Sequence, residues 1–191
     1  SDFICLTETW LTQHDNAYDV RLDNFKFYHQ PRYLSYCNSN EITTTLQDQS
    51  HGGVAAYSKI KSCSRLSIIV TNIEFIAFIV TCPISVVISV VYRPPTYSMK
   101  LFCESLNKLL DELHKVSSKC IIIGDFNEDL LKNCCQIKNL MSKQGYEQHV
   151  VDCTTENGTL IDHVYSKGLN CLRADVIGIY YSYHEGIKIK F

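Results

Sequence analysis

The sequence has almost no net charge. Lysine and arginine total 18 against 20 aspartate and glutamate, which leaves −2 at pH 7. Such a chain has no global field to draw in a polyanion, so any nucleic-acid contact must come from a local basic patch. Long apolar runs are also missing. The longest, around residues 84–91, is too short and too interrupted to span a bilayer, which excludes a membrane partner on this reading. No secretory signal peptide is visible at the start. The ten cysteines form no CxxC pair and no cysteine–histidine cluster at zinc spacing. Several fall inside apolar segments, where cysteine acts as a small hydrophobe. They read as free thiols of a reducing compartment, and the protein as intracellular, nuclear or cytoplasmic, and not secreted. A glycine-rich phosphate loop, a nucleophile elbow and an HExxH helix are absent too, so the chemistries those motifs carry have no basis here.

What is present is a chain of 191 residues, 46% apolar and 20% charged, enough for one domain with a sizeable core over residues 1–191. No internal repeat or linker divides it. It begins on Ser1, enters a strand at once and ends on Phe191 in or just after another, so both ends are expected to be cut from something longer. Residues 3–6 form a continuous apolar run, as for a strand buried on both faces. Further strands are expected near residues 54–57, 66–71, 75–81, 84–92, 119–123, 149–151, 161–166, 176–179 and 186–191. Residues 34–50 are polar and read as a surface loop. Leu101, Phe102, Leu106, Leu109, Leu110 and Leu113 follow helical spacing, predicting a helix over 99–116 capped by Ser98. A second helix is expected over 130–144, with Gly145 as C-cap. Strands covered by two helices indicate an α/β (α+β) sandwich of paired sheets with helices outside, its functional side chains gathered where strands end.

Ile121-Ile122-Ile123-Gly124-Asp125-Phe126-Asn127 is the most informative segment. Three branched residues read as a buried strand that the glycine ends. A carboxylate and a carboxamide then emerge two residues apart. Asp125 can hold a divalent cation or orient a water, and Asn127 can hold a substrate oxygen, an arrangement suited to phosphodiester chemistry. Glu8 follows another strand and can cap a turn or bind a hard cation. Tyr92 and Arg93 stand at a third strand end, where tyrosine commonly packs and where hydroxyl and guanidinium can also grip a phosphate. Asp162 opens a strand, and a carboxylate paired with a distant histidine raises its basicity, which draws attention to His184. His163 would face the other way and reads as structural. His14, His29, His114 and His149 receive no role.

Together, Thr7-Glu8-Thr9-Trp10, Tyr92-Arg93-Pro94-Pro95, Gly124-Asp125-Phe126-Asn127, Ile161-Asp162-His163-Val164 and Tyr180-Tyr181-Ser182-Tyr183-His184 resemble, in order, the endonuclease/exonuclease/phosphatase superfamily. The segments 4–11 and 124–131 are most similar to the endonuclease domain of non-LTR (LINE-type) retrotransposon polyproteins. The resemblance implies a four-layer α/β/β/α sandwich and Mg²⁺-dependent nicking of DNA, with Mn²⁺ as a substitute. In a full-length parent it implies a C-terminal reverse transcriptase. It makes Glu8 and Asp125 metal ligands and Tyr92 a contact to the scissile phosphate, with Arg93 and Asn127 on the substrate side. Asp125 would orient or activate water, Asn127 would help position it, and Asp162 would hydrogen-bond His184, which would act as base or as charged phosphate clamp. Two departures stand out. The family's Ser-Asp-His reads Ser182-Tyr183-His184, and tyrosine is neutral near pH 7 and a poor ligand for a hard cation. The family's first strand, with its metal-binding asparagine, and the helix after it have no counterpart, which would expose sheet edges. The alternatives are an inactive remnant or co-opted nucleic-acid-binding domain, and a phosphatase or sphingomyelinase-like enzyme of the same fold.

Overall fold

The computed structural model describes residues 2–191 except 13, 16–17, 37–40 and 171. Its elements in chain order are β1 (Phe3–Thr7), β2 (Lys26–Gln30), α1 (Glu41–Asp48), β3 (Val54–Ser58), β4 (Cys63–Arg65), β5 (Glu74–Val80) and β6 (Val86–Tyr92), then α2 (Met99–Val116), β7 (Cys120–Asp125), α3 (Gln136–Lys143), β8 (Glu147–Gln148), β9 (Asp162–Lys167), β10 (Arg173–Ile177) and β11 (Gly186–Lys190). They make a six-stranded sheet in the order β4-β5-β6-β7-β9-β8, a three-stranded sheet β1-β3-β2 and a two-stranded β10-β11 ribbon. The fold is mixed α/β, as expected.

The six-stranded sheet is apolar on both faces. β6 is buried along its whole length, and its side chains alternate between two cores. Val87 and Val91 face Phe102, Leu106, Leu109, Leu110 and Leu113 of α2, with Ile137 and Met141 of α3 beside them. Ile88, Val90 and Tyr92 face the other sheet's Val54 and Ala56, and Val176, Ile187 and Ile189 of the ribbon. Each fully buried leucine of α2 contributes about 1.5–3 kcal/mol. Ser98 caps α2 by accepting the Leu101 N–H at 3.5 Å. Because α2 crosses over between β6 and β7, those strands run parallel and end on the same edge. The helices lie on the α2 side of the large sheet.

Several expectations are corrected. β1 is not buried on both faces: it pairs only with β3, and Leu6 is 40% exposed. The 34–50 loop contains α1, in which Thr43 and Leu46 are the buried side chains among those described. Residues 37–40, with Cys37, lie outside the described residues, as does Cys171. Over 66–71, Leu66, Ile68 and Val70 turn inward while Ile69 is 92% exposed, yet the ladder ends at the Leu66 N–H to the Ala77 carbonyl (2.8 Å). α3 starts at Gln136 because the buried Glu128 carboxylate accepts the N–H groups of Ile137 and Lys138, while the Leu130 N–H goes to Leu160. β8 occupies 147–148, just ahead of the expected 149–151. Gly145 does close α3: it has φ +80°, and Gly145 and Tyr146 N–H bond back to Ser142 and Met141.

Candidate active site

β7 does not end at its glycine. It continues to Asp125, which pairs with Tyr92 of β6 on one side and Asp162 of β9 on the other. Gly124 permits this: at φ +154° it lies against the Val91 carbonyl, with which a Cβ would collide. Glu8 arrives one residue past β1, and His184 two residues before β11, bridged to Thr155. Five chain segments therefore deliver Glu8, Tyr92, Asp125, Asp162 and His184 to one region.

Asp125 is almost fully buried, and its carboxylate accepts the Asn127 backbone N–H (2.8 Å) and side-chain amide (3.2 Å). Burial, and next the neighbouring Asp162 carboxylate, push its pKa up to about 7. Asp162 holds His184 through Oδ2 to Nδ1 at 2.8 Å, a bond that is the main cause of the raised pKa of His184. Asp162 is itself set by Thr154, buried, whose hydroxyl accepts the Ile161 and Asp162 N–H groups at 3.1 Å each. The Tyr92 hydroxyl donates to the Glu8 carboxylate, and burial is the first cause of its upward pKa shift.

A donor atom from each of Asp125, Asp162 and His184 lies within 4.8 Å of the other two. Glu8 joins them electrostatically, since its charge acts on both Asp125 and His184. Clustered carboxylate oxygens are the donor set of a hard divalent cation, and the residues present fit one.

Four of the expected side chains are engaged by other groups of the protein. Arg93 is not free to meet a substrate phosphate. It is buried and donates to the carbonyls of Phe126 (2.7 Å), Tyr97 (2.7 Å), Asn127 (2.7 Å) and Pro94 (3.3 Å), so it shapes the turn after Asp125. Asn127, at φ +46°, gives its side-chain N–H groups to the Arg93 carbonyl (2.9 Å) and to Asp125 (3.2 Å), and thereby clamps Asp125. Tyr92 meets Glu8, as above. Tyr183 is half-exposed and lies edge-on to the His184 ring at 5.6 Å. Glu185 does not supply the carboxylate that Tyr183 lacks, because it accepts the Ile179 N–H at 3.0 Å in the β10-β11 connection. His163 is structural, as read: it stacks on Phe126 at 4.8 Å and bonds the Glu128 carbonyl at 2.8 Å.

Sequence reasoning missed Thr154, and also Arg32 and Glu74, a buried pair at 2.8 Å beneath Tyr92. An acidic residue opening an Ile/Phe-rich strand was the only local signal, since Arg32 lies 42 residues away. Among the described residues, no helix is long and apolar enough to cross a membrane.

No curated protein matches the sequence. Solved structures do match its fold. The 3'-5' exonuclease NExo from Neisseria meningitidis aligns with a TM-score of 0.69 at 15% identity, over 100% of this chain and 89% of its own. The endonuclease domain of TRAS1, a telomere-specific non-LTR retrotransposon, gives 0.67 at 12% identity, over 88% and 78%. The human Nocturnin catalytic domain gives 0.65 at 12% identity, over 99% and 81%. The sequence itself matches the endonuclease/exonuclease/phosphatase family over residues 1–184. With nearly the whole chain covered, and with acidic residues and a carboxylate-held histidine converging at the strand ends, this protein belongs to the endonuclease/exonuclease/phosphatase family.

Proposed function

We propose that this protein is an endonuclease that hydrolyses a phosphodiester bond of DNA, with Mg²⁺ as its cation and Mn²⁺ as a substitute. The observation that carries the reading is the convergence of Asp125 with the Asp162–His184 pair, next to Glu8. Likeness to the retrotransposon endonuclease domain supports DNA as substrate. On the same ground we read the 191 residues as one domain of a longer polyprotein with a C-terminal reverse transcriptase. The eight described cysteines are all free, which supports an intracellular setting.

Glu8, with Asp125, would hold the cation, whose bound charge would offset that of the phosphate. Asp125, buried beside Asp162 and His184, would orient or activate the attacking water. Asn127 and Arg93 keep that carboxylate in place. His184 engages Asp162 through Nδ1 and has its pKa raised, which favours the imidazolium and gives Nε2–H as a charged donor to a phosphate oxygen. The geometry thus favours the clamp over the base for His184.

A second reading rests on Tyr183 and Glu185: with no carboxylate beside His184 from either, the domain would bind nucleic acid without cutting it well. Plasmid nicking with Mg²⁺ decides between them. Asp125→Asn and His184→Ala should each lower nicking by roughly two to three orders of magnitude, and Tyr183→Asp should raise it. If the parent and Tyr183→Asp both leave supercoiled DNA intact, the nuclease reading fails. Faster hydrolysis of an inositol phosphate than of DNA would favour a phosphatase.

A further inference from the structure

Beneath the candidate site lies a charged pair that the reaction does not use. Glu74 is wholly buried and Arg32 nearly so, and the Arg32 Nε–Glu74 Oε1 distance is 2.8 Å. Removing two charges from water costs more than such a pair commonly returns, so its presence calls for a reason other than stability. One bond of Glu74 leads toward the site. Glu74 Oε2 accepts the Gly53 N–H at 2.5 Å, and Oε1 also accepts the Tyr36 hydroxyl at 3.1 Å. The carbonyls of Gly52 and Gly53 in turn accept the N–H groups of Trp10 (2.9 Å) and Thr9 (3.3 Å), the two residues after Glu8. Those bonds hold an unusual backbone: Glu8 and Trp10 have φ of +51° and +55°, a region L-residues occupy only when their surroundings impose it.

Arg32 closes the arrangement from the other side. Its Nη1 donates to Gln49 at 2.9 Å, and its guanidinium lies 5.7 Å from the centroid of the Tyr92 ring, whose hydroxyl bonds Glu8. Tyr92 is also the direct cross-strand partner of Glu74. Gly52, at φ +96°, packs so closely on the guanidinium that a Cβ would collide with it. The pair therefore contacts both supports of the Glu8 carboxylate, the backbone turn that presents it and the tyrosine that orients it.

We propose that Arg32 and Glu74 are positioning residues that hold the Glu8 carboxylate in its cation-binding geometry through the Gly52-Gly53 turn and Tyr92. The inference rests on reading Glu8 as a cation ligand, and its test separates the two. Trp10 is the only tryptophan, stands two residues from Glu8 and is 56% exposed, so Mn²⁺ bound at Glu8 would quench its fluorescence. The experiment titrates Mn²⁺ into the chain and into Glu8→Gln, Glu74→Gln, the double variant Arg32→Met/Glu74→Met, and Leu106→Ala in the α2 core. All are held at a temperature where thermal melts show each folded. Glu74→Gln and the double variant should shift the Mn²⁺ midpoint upward by about 10- to 100-fold, as loss of groups behind a ligand does. Leu106→Ala should leave the midpoint in place. The double variant removes the buried charges together, so a weakened midpoint at parental melting temperature marks positioning and not stability. A midpoint that moves with Glu8→Gln but not with Glu74→Gln overturns the inference alone. Equal shifts in Leu106→Ala and Glu74→Gln also overturn it. A midpoint indifferent to Glu8→Gln overturns the ligand reading and the inference with it.

Discussion

His163 pairs with Gly124 in the β7-β9 ladder, next to the paired carboxylates Asp125 and Asp162. Although it touches the candidate site by sequence, its chemistry is that of a core residue. Nε2 bonds the Glu128 carbonyl at 2.8 Å and Nδ1 pairs with the Tyr165 hydroxyl at 3.1 Å, so a neutral ring donating from Nε2 satisfies both. A second proton would displace the Tyr165 donor from Nδ1, and burial pushes the pKa of His163 down to about 4. In the unfolded chain it would titrate near 6.5. The folded value is the lower one, so between these values the unfolded chain binds more protons. The contribution is fully present above pH 6.5 and is lost as the pH falls through 4. It corresponds to about 3 kcal/mol. His163→Gln keeps a donor for the Glu128 carbonyl but cannot take a charge. Urea midpoints at pH 7 and pH 4.5 should show the parent losing more stability in acid than this variant, and equal losses would show that His163 is not buried neutral.

β7 joins the hydrophobic pattern to the chemistry, and Gly124 is the join. The collision awaiting a Cβ is with backbone, the Val91 carbonyl of β6, and no rotamer relieves it. Gly124→Ala should therefore spread β6 from β7, destabilise the fold by roughly 3 kcal/mol or more, and displace Asp125 from Tyr92 and Asp162. Thermal melts with nicking assays check this, and a melt unchanged from the parent would show that the ladder yields there. The same strand marks how far sequence alone reaches. Its isoleucines announced a buried strand, and α2 was legible at both ends because each apolar position falls at helical spacing behind a serine cap. That Glu8, Asp125, Asp162 and His184 would meet was legible because each stands at or beside a strand end. Misreadings came where a local pattern is completed by a distant group. The α3 start depends on Glu128, nine residues before Ile137. Arg93 looked free because the Phe126 and Asn127 carbonyls that engage it lie 33 and 34 residues on. Arg32, Glu74 and Thr154 escaped notice for the same reason: only folding gives them partners.

The molecule carries a net charge of −2, and it concentrates Glu8, Asp125 and Asp162 around one histidine. Two arginines that bear on this region are committed internally, Arg32 to Glu74 and Arg93 to carbonyl oxygens. A phosphodiester approaching the carboxylates would meet repulsion unless a cation intervenes, and the whole chain offers no compensating field. Affinity for DNA should therefore depend on a divalent cation, opposite to a lysine-rich binder, for which divalent ions compete at the phosphates. Fluorescence anisotropy with a labelled duplex, using Ca²⁺ to limit cleavage, provides the measurement. Replacing Ca²⁺ with EDTA should weaken binding about tenfold or more, the Coulomb cost of leaving the carboxylates uncompensated beside a phosphate. Few phosphates can be neutralised by such a surface, so the log–log dependence of affinity on salt should be shallow, with a slope on the order of −2 to −3. Binding indifferent to EDTA, with a slope of about −6 or steeper, would place the affinity on a basic surface away from Asp125 and would separate DNA binding from the chemistry proposed for these residues.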